Sequence, residues 1–223
     1  MRVISICAAK GGSSKSTLTA AVAVRLSEKT KGSRVAMLDL NSDQASLTKW
    51  WQLRGSPDQP FLHEDIADLE LDLQALKRTG FTHCVVDSPP YDMELIETTI
   101  MLSDVILIPV RPSLFDENAI RVVVGMCLKR RKPFGFVLTD VDNRPQFKSH
   151  TEKIAGRLRE LGPVCETRFP HSAHYLTSLE TGKTGHEVEK GSDLKNTMDA
   201  LCAEIDSLAA TRPAYVARSR VNV

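Results

Sequence analysis

The chain has 223 residues, with 29 basic and 28 acidic side chains and a net charge of +1. That balance excludes a bulk polycation, so any nucleic-acid contact must come from a local patch. Apolar residues at 42% and charged residues at 26% are globular values, and the length fits one domain with a sizeable core rather than a disordered chain. The five cysteines at 7, 84, 127, 165 and 202 have no CxxC spacing, which reads as reduced cytosolic thiols. No signal-peptide layout precedes the first strand pattern, and no apolar run reaches the ~18 residues of a spanning helix. The expectation is a cytoplasmic protein.

Residues 3–8 are a β-branched apolar run, the signal of a buried strand. A Gly/Ser/Lys-rich turn at 10–15 leads into a predicted helix at 16–29, with Leu18, Val22 and Leu26 near helical spacing and a stop at Lys31-Gly32-Ser33. A strand is expected at 35–40, a short helix at 46–53 and a loop at 55–60. That helix carries Trp50 and Trp51, read as core packing or as one exposed residue for a partner. A helix at 68–78 closes on Gly80, and a strand at 81–86 runs into Asp87-Ser88-Pro89-Pro90. Then come a helix at 93–102, a strand at 105–110, a helix at 116–129, a strand at 134–139 and a helix at 148–161. A late strand at 164–169, a short helix at 175–181 and a last helix at 194–208 complete a single domain, 1–210, before a flexible tail at 211–223. Strands alternating with helices predict an α/β fold, a mostly parallel twisted sheet with helices on both faces. In such sheets ligands sit at the carboxyl ends of the strands.

Lys10-Gly11-Gly12-Ser13-Ser14-Lys15-Ser16-Thr17 lies between the first strand and the first helix. Glycines let backbone N–H groups approach phosphate oxygens, and the helix N-terminus adds the positive end of its dipole. Lys15 can reach the terminal phosphates, the Ser16 hydroxyl can ligate Mg²⁺, and Thr17 can donate to the α-phosphate. The run resembles the loop of the ParA/MinD family of deviant Walker-A ATPases, KGGxGK(S/T)T, matching at Lys10, Gly11, Gly12, Lys15, Ser16 and Thr17. The resemblance implies a P-loop NTPase fold and the cofactors ATP and Mg²⁺. It makes Lys10 the signature lysine, which crosses a nucleotide-sandwich dimer to the partner's phosphates. Ser14 stands where the family keeps a glycine. If that position needs an unusual φ, serine costs about 1 kcal/mol or more.

The second strand ends in Asp39-Leu40-Asn41-Ser42-Asp43-Gln44, which resembles the family's switch I, DxDPQ. Asp39 matches its first carboxylate, near Mg²⁺. For the second, near the attacking water, Asn41 is in register without charge and Asp43 fits with a one-residue insertion. An amide orients water but takes no proton. The bland alternative is a polar strand-end loop with an Asp N-cap. Cys84-Val85-Val86-Asp87-Ser88-Pro89-Pro90 resembles the Walker B and switch II segment and implies that Asp87 holds Mg²⁺. Ser103-Asp104 and the run from Ile108 to Asp116, with Pro109 and Pro112, extend the match. By position the adenine pocket falls at 139–142 and 168–171, with Arg168 and Pro170 as contacts.

Lys129-Arg130-Arg131-Lys132 is a basic run at a helix end. It reads either as dipole complementation on a solvated face or as a phosphate-contacting patch, which Arg144, Lys148, Arg212, Arg218 and Arg220 extend. The resemblance implies an ATP-dependent homodimer on nonspecific DNA, associated with the nucleoid, whose hydrolysis a ParB-like activator stimulates. The chain starting at its first strand fits a form without an N-terminal sequence-specific DNA domain. Plasmid or chromosome partition, or positioning of a protein cargo, is the implied role. The alternatives are a nucleotide-gated scaffold with little turnover and a MinD-like membrane positioner. Pro213 and the small apolar surface of 214–220 weigh against membrane binding. Cys127 and Cys165 lie outside the segments that carry a bridging cluster in iron–sulfur relatives, so no cluster is expected.

Overall fold

A computed structural model describes residues 1–29, 32–41 and 44–211. Asp43, Lys31, the tail expected to be flexible and the basic residues Arg212, Arg218 and Arg220 lie outside the described residues.

The strands β1 (Arg2–Ile6), β2 (Val35–Asp39), β3 (Phe61–His63), β4 (His83–Asp87), β5 (Val105–Val110) and β6 (Phe134–Leu138) form one sheet. Their order is β3-β2-β4-β1-β5-β6, and every pair is parallel. The helices are α1 (Lys15–Lys29), α2 (Ser46–Leu53), α3 (Leu69–Arg78), α4 (Met93–Leu102), α5 (Glu117–Lys129), α6 (Pro145–Arg159), α7 (Ala173–Leu179), α8 (Gly185–Val188) and α9 (Asp193–Ala210). None of them is long and apolar enough to cross a membrane.

The strands are apolar on both sides because both sides are covered. Ile4, Ile6, Val85 and Leu107 pack with residues of α1, α2 and α9, including both tryptophans. Alternate residues of the same strands point the other way: Ile106 and Ile108 join α4, α5 and α6, and Val3, Cys84 and Val86 join α3. Three aspartates start helices by accepting backbone N–H bonds: Asp68 for α3, Asp92 for α4 and Asp116 for α5.

Two expectations need correction. The sheet's far edge is β3, where no strand was expected. Three residues beside β2, with Phe61 and His63 flanking buried Leu62, are too few to show a period. The strand expected at 164–169 does not form as a ladder. That segment meets the β6 side at the isolated bridges Phe136↔Val164 and Val141↔Pro170 and, between them, through the Phe169 N–H donating to the Leu138 carbonyl at 2.8 Å. Between the bridges the Glu204 carboxylate of α9 takes the N–H groups of Glu166 and Thr167, at 2.7 and 2.9 Å, and so removes Thr167, the donor between Cys165 and Phe169 that a continuous ladder would use.

The chain leaves β1 through α1 toward β2 on one side, and leaves the neighbouring β4 through α4 toward β5 on the other. Adjacent strands whose connections part in this way open a crevice at their carboxyl ends. Here that crevice lies between the loop after Ile6 and the loop after Asp87, which pair in register.

Candidate functional site

Residues 8–17 wrap from the end of β1 into the first turn of α1. Gly12 and Ser14 both have left-handed backbones, with φ of +77° and +66°. The conditional expectation for Ser14 therefore applies: its Cβ sits where a glycine would be unstrained, at a cost of about 1 kcal/mol. The Ser14 carbonyl accepts the Leu18 N–H and starts α1. The Ser13 carbonyl accepts the Thr139 hydroxyl at 3.0 Å, which fixes the loop against the end of β6. Gly11 to Thr17 line a cleft of about 440 Å³, together with Asn41, Trp50, Leu53 and Pro90.

Lys15 is buried in this loop, its Nζ donating to the Lys10 carbonyl at 3.4 Å. Burial pulls its pKa down, and the nearby Asp87 opposes that. Lys10 points out of the loop and pairs with Asp116 at 3.3 Å, both side chains being well exposed. Such a pair is worth little and is easily exchanged.

Asp39 and Asp87 sit side by side at the ends of β2 and β4. Their environments differ sharply. One Asp39 oxygen accepts the N–H groups of Leu47 and Thr48 and the Thr48 hydroxyl, at 3.0–3.1 Å, and the other accepts the Asn41 N–H. Asp39 thus caps α2 from a distance. Ala45, just before that helix, offers no side-chain cap. The alternative reading of Asp39 as a cap is what the structure displays, in a position that keeps it next to Asp87.

Asp87 is 1% exposed, and among the described residues neither of its carboxylate oxygens receives a hydrogen bond of ordinary length, the Ser16 hydroxyl approaching it without closing one. Burial drives its pKa up to about 7, and the adjacent Asp39 adds to the rise while the Ser16 hydroxyl and Lys15 oppose it. Ser13 Oγ and Ser88 Oγ are likewise buried without partners. Orphaned buried oxygens of this kind imply a group that completes them. A carboxylate, a serine hydroxyl and a buried ammonium under a loop of backbone donors fit a Mg²⁺–polyphosphate, since Mg²⁺ takes few protein oxygens and borrows the rest from phosphate and water. Among the described residues no cluster of three or more His, Cys, Asp or Glu side chains offers a protein cage for a metal.

Two groups of candidates stand apart from this cleft. Arg168 and Pro170 do not line it. The Arg168 guanidinium donates to the Cys165 carbonyl, and Pro170 bridges to Val141. Beside them Asp140, at φ +53°, holds both Arg111 and His171. In the basic run, Lys129 and Arg130 both pair with Glu97, at 2.9 and 3.0 Å, and Lys132 donates to the Ser103 carbonyl at 2.8 Å. Arg131 is exposed at the turn that follows α5.

Sequence reasoning missed Tyr91. Its backbone is left-handed, with φ of +69°, and its exposed ring brings the hydroxyl 3.4 Å from the Gly11 N–H. A tyrosine directly after Pro89-Pro90, in a loop facing the glycine run, was the available signal.

The profile of the CobQ/CobB/MinD/ParA nucleotide binding domain matches residues 4–173, most of the chain. The chain belongs to this family. What the family shares is a nucleotide-binding domain, and the fold here is that of its ParA/MinD ATPases. The MinC:MinD cell division complex of Aquifex aeolicus superposes with a TM-score of 0.70 at 19% identity, covering 92% of this chain and 96% of that one. The septum site-determining protein MinD of Pyrococcus horikoshii, complexed with Mg-ADP, gives 0.67 at 19%, covering 94% and 97%. A putative plasmid partition protein of Borrelia burgdorferi bound to AMPPNP gives 0.68 at 13%, covering 92% and 99%. At these identities the likeness is one of fold. Among curated protein sequences, none matches the chain.

Proposed function

We propose that this protein is a ParA-type ATPase that dimerises around ATP, binds DNA without sequence preference as a dimer, and releases it after a partner stimulates hydrolysis. The observation that carries the reading is Asp87, buried beside Asp39 and receiving no hydrogen bond of ordinary length among the described residues, next to a loop that holds Lys15. When bound, Mg²⁺ neutralises phosphate charge, and Ser16, Asp87 and Asp39 are the residues that would hold it. Gly11 to Thr17 cradle the phosphates through backbone N–H groups. Lys15 supplies a buried positive charge whose field is little screened. Lys10, tied only to Asp116 across an exposed pair, is free to turn toward the phosphates of a facing copy. Asn41 lines the cleft and orients water rather than accepting its proton. Arg168 and Pro170 bound the adenine end.

Lys129, Arg130, Arg131 and Lys132 supply the DNA contact in this reading. The ion pairs of Lys129 and Arg130 with Glu97 are exposed on the cationic side, so phosphate can replace Glu97 at small cost. A dimer doubles that footprint. The cargo is a replicon or a protein assembly, and the activator is a ParB-like protein or its counterpart.

The second reading, a nucleotide-gated scaffold with little turnover, draws on Asn41 in place of a carboxylate and on the strained Ser14. Sustained phosphate release with DNA and activator excludes it. The test of the main proposal is titration of nonspecific duplex DNA with ATP–Mg²⁺, ADP–Mg²⁺ or no nucleotide, at two salt concentrations. Binding only with ATP, weakening steeply with salt, is the expected result. Equal binding in all three states, or none in any, overturns the DNA part.

A further inference from the structure

Helix α2 has eight residues, too few to hold its own geometry, so its position comes from the core packing of Leu47, Trp50 and Trp51 and from what grips its two ends. Its first turn is held by Asp39, through the bonds to Leu47 and Thr48. Its far end is held by the turn between α7 and α8. Trp50 Nε1 donates to the Lys183 carbonyl at 2.9 Å. The Arg54 guanidinium forks onto Glu187 at 2.7 and 2.8 Å and also donates to the Gly182 carbonyl at 3.0 Å. Glu187 is itself fixed, because one of its oxygens accepts both the N–H and the hydroxyl of Thr184. Burial favours the protonated form of Glu187, yet Arg54 and the Thr184 N–H outweigh it and hold its pKa below the usual value. The two side chains of the fork are 18% and 17% exposed, so this is a half-buried, bidentate pair rather than a surface one.

The fit is close enough to specify a residue. Gly182 has φ of +69°, and a Cβ there would overlap the backbone N and Cα of Arg54 and the carbonyl carbon of Leu53. His186 is buried beside Thr184 and lies 3.9 Å from Glu28, near the end of the helix that begins at Lys15. The contacts therefore form a line: the α7–α8 turn, then Glu187 and Arg54, then α2, then Asp39.

We infer that Arg54 and Glu187, with Gly182, are positioning residues of the nucleotide site, which hold α2 so that Asp39 stays beside Asp87 where a metal–phosphate binds. The inference rests on the nucleotide-binding reading above. Neither Arg54 nor Glu187 lines the cleft, so they act through α2 alone. Outer contacts that orient a metal-side carboxylate tune metal affinity, commonly by 10–100-fold.

The test is equilibrium dialysis with labelled ATP on the full chain, with Mg²⁺ and with EDTA, for the parent, Glu187→Gln, Arg54→Ala and the double variant. Thermal melts establish that each variant folds, and Glu187→Asp replaces any that does not. A positioning role predicts that Mg²⁺ tightens ATP binding in the parent, and that each single variant loses at least fivefold of that gain. Affinity in EDTA, which reports the cleft without a metal, stays within twofold. The double variant is no worse than either single, because the pair acts as one unit. Equal loss with and without Mg²⁺ marks a merely structural contact and overturns the inference. So does unchanged affinity in both, or a parent that binds ATP without regard to Mg²⁺. A parent that binds no nucleotide at all overturns the nucleotide-binding reading itself.

Discussion

Ser14 stands in a left-handed backbone where its family's loop carries glycine, and the loop keeps the glycine's shape regardless. The strain is stored in the binding loop, so replacing the residue should release it. Ser14→Gly is expected to raise stability by about 0.5–1 kcal/mol, the left-handed penalty less the extra freedom of glycine in the unfolded chain. Urea unfolding measures this, and a loss of stability would show that the serine hydroxyl holds the loop. Asp87 makes the complementary case. In the protein without nucleotide or metal its pKa is about 7, above the ordinary 3.8, because it is buried next to another carboxylate. The folded state therefore keeps a proton that the unfolded state gives up between those values. This group costs nothing below pH 4, destabilises progressively as pH rises to 7, and costs its full amount above. Asp87→Asn removes the cost. In EDTA the variant should match the parent at pH 5 more nearly than at pH 8, where it should be the more stable by about 1 kcal/mol or more. Urea midpoints at the two pH values decide, and parallel curves would contradict the assigned burial.

At the scale of elements, what was legible followed from signals that local physics makes strong. The bounds of α2 and α4 and of β5 agree with expectation residue for residue: an Asp92 cap marks the start of α4, and β5 is an uninterrupted apolar run. Asp68 and Asp116, expected as first helical residues, are caps instead. The two strand errors have tertiary causes. β3 is a three-residue edge whose signal is its partner β2, and 164–169 loses its ladder to a glutamate 38 residues further on. The glycine loop and the strand-end Asp87 could be found as motifs because phosphate chemistry fixes residue types at short spacing. The Arg54–Glu187 fork could not, since it joins groups 133 residues apart with no pattern to link them. Tyr91 was missed for a similar reason: its contact with Gly11 spans two loops that meet only in the folded crevice. The basic run was visible as charge, but its pairing with Glu97 on α4 was not.

For the whole molecule, the sheet order places every candidate phosphate and metal group at one mouth. Three exposed apolar side chains, Leu53, Tyr91 and Leu114, stand around it with Lys10. A mouth with an apolar rim and the exposed ammonium of Lys10 suits a second copy bringing a second phosphate group. Light scattering of the purified protein measures this pairing most directly, with ATP–Mg²⁺ and with ADP–Mg²⁺, for the parent and for Lys10→Ala. The expected result is a dimer mass for the parent with ATP only, and a monomer mass for the variant in both. A parent that binds ATP–Mg²⁺ and stays monomeric, or a Lys10→Ala variant that dimerises as well as the parent, would contradict it.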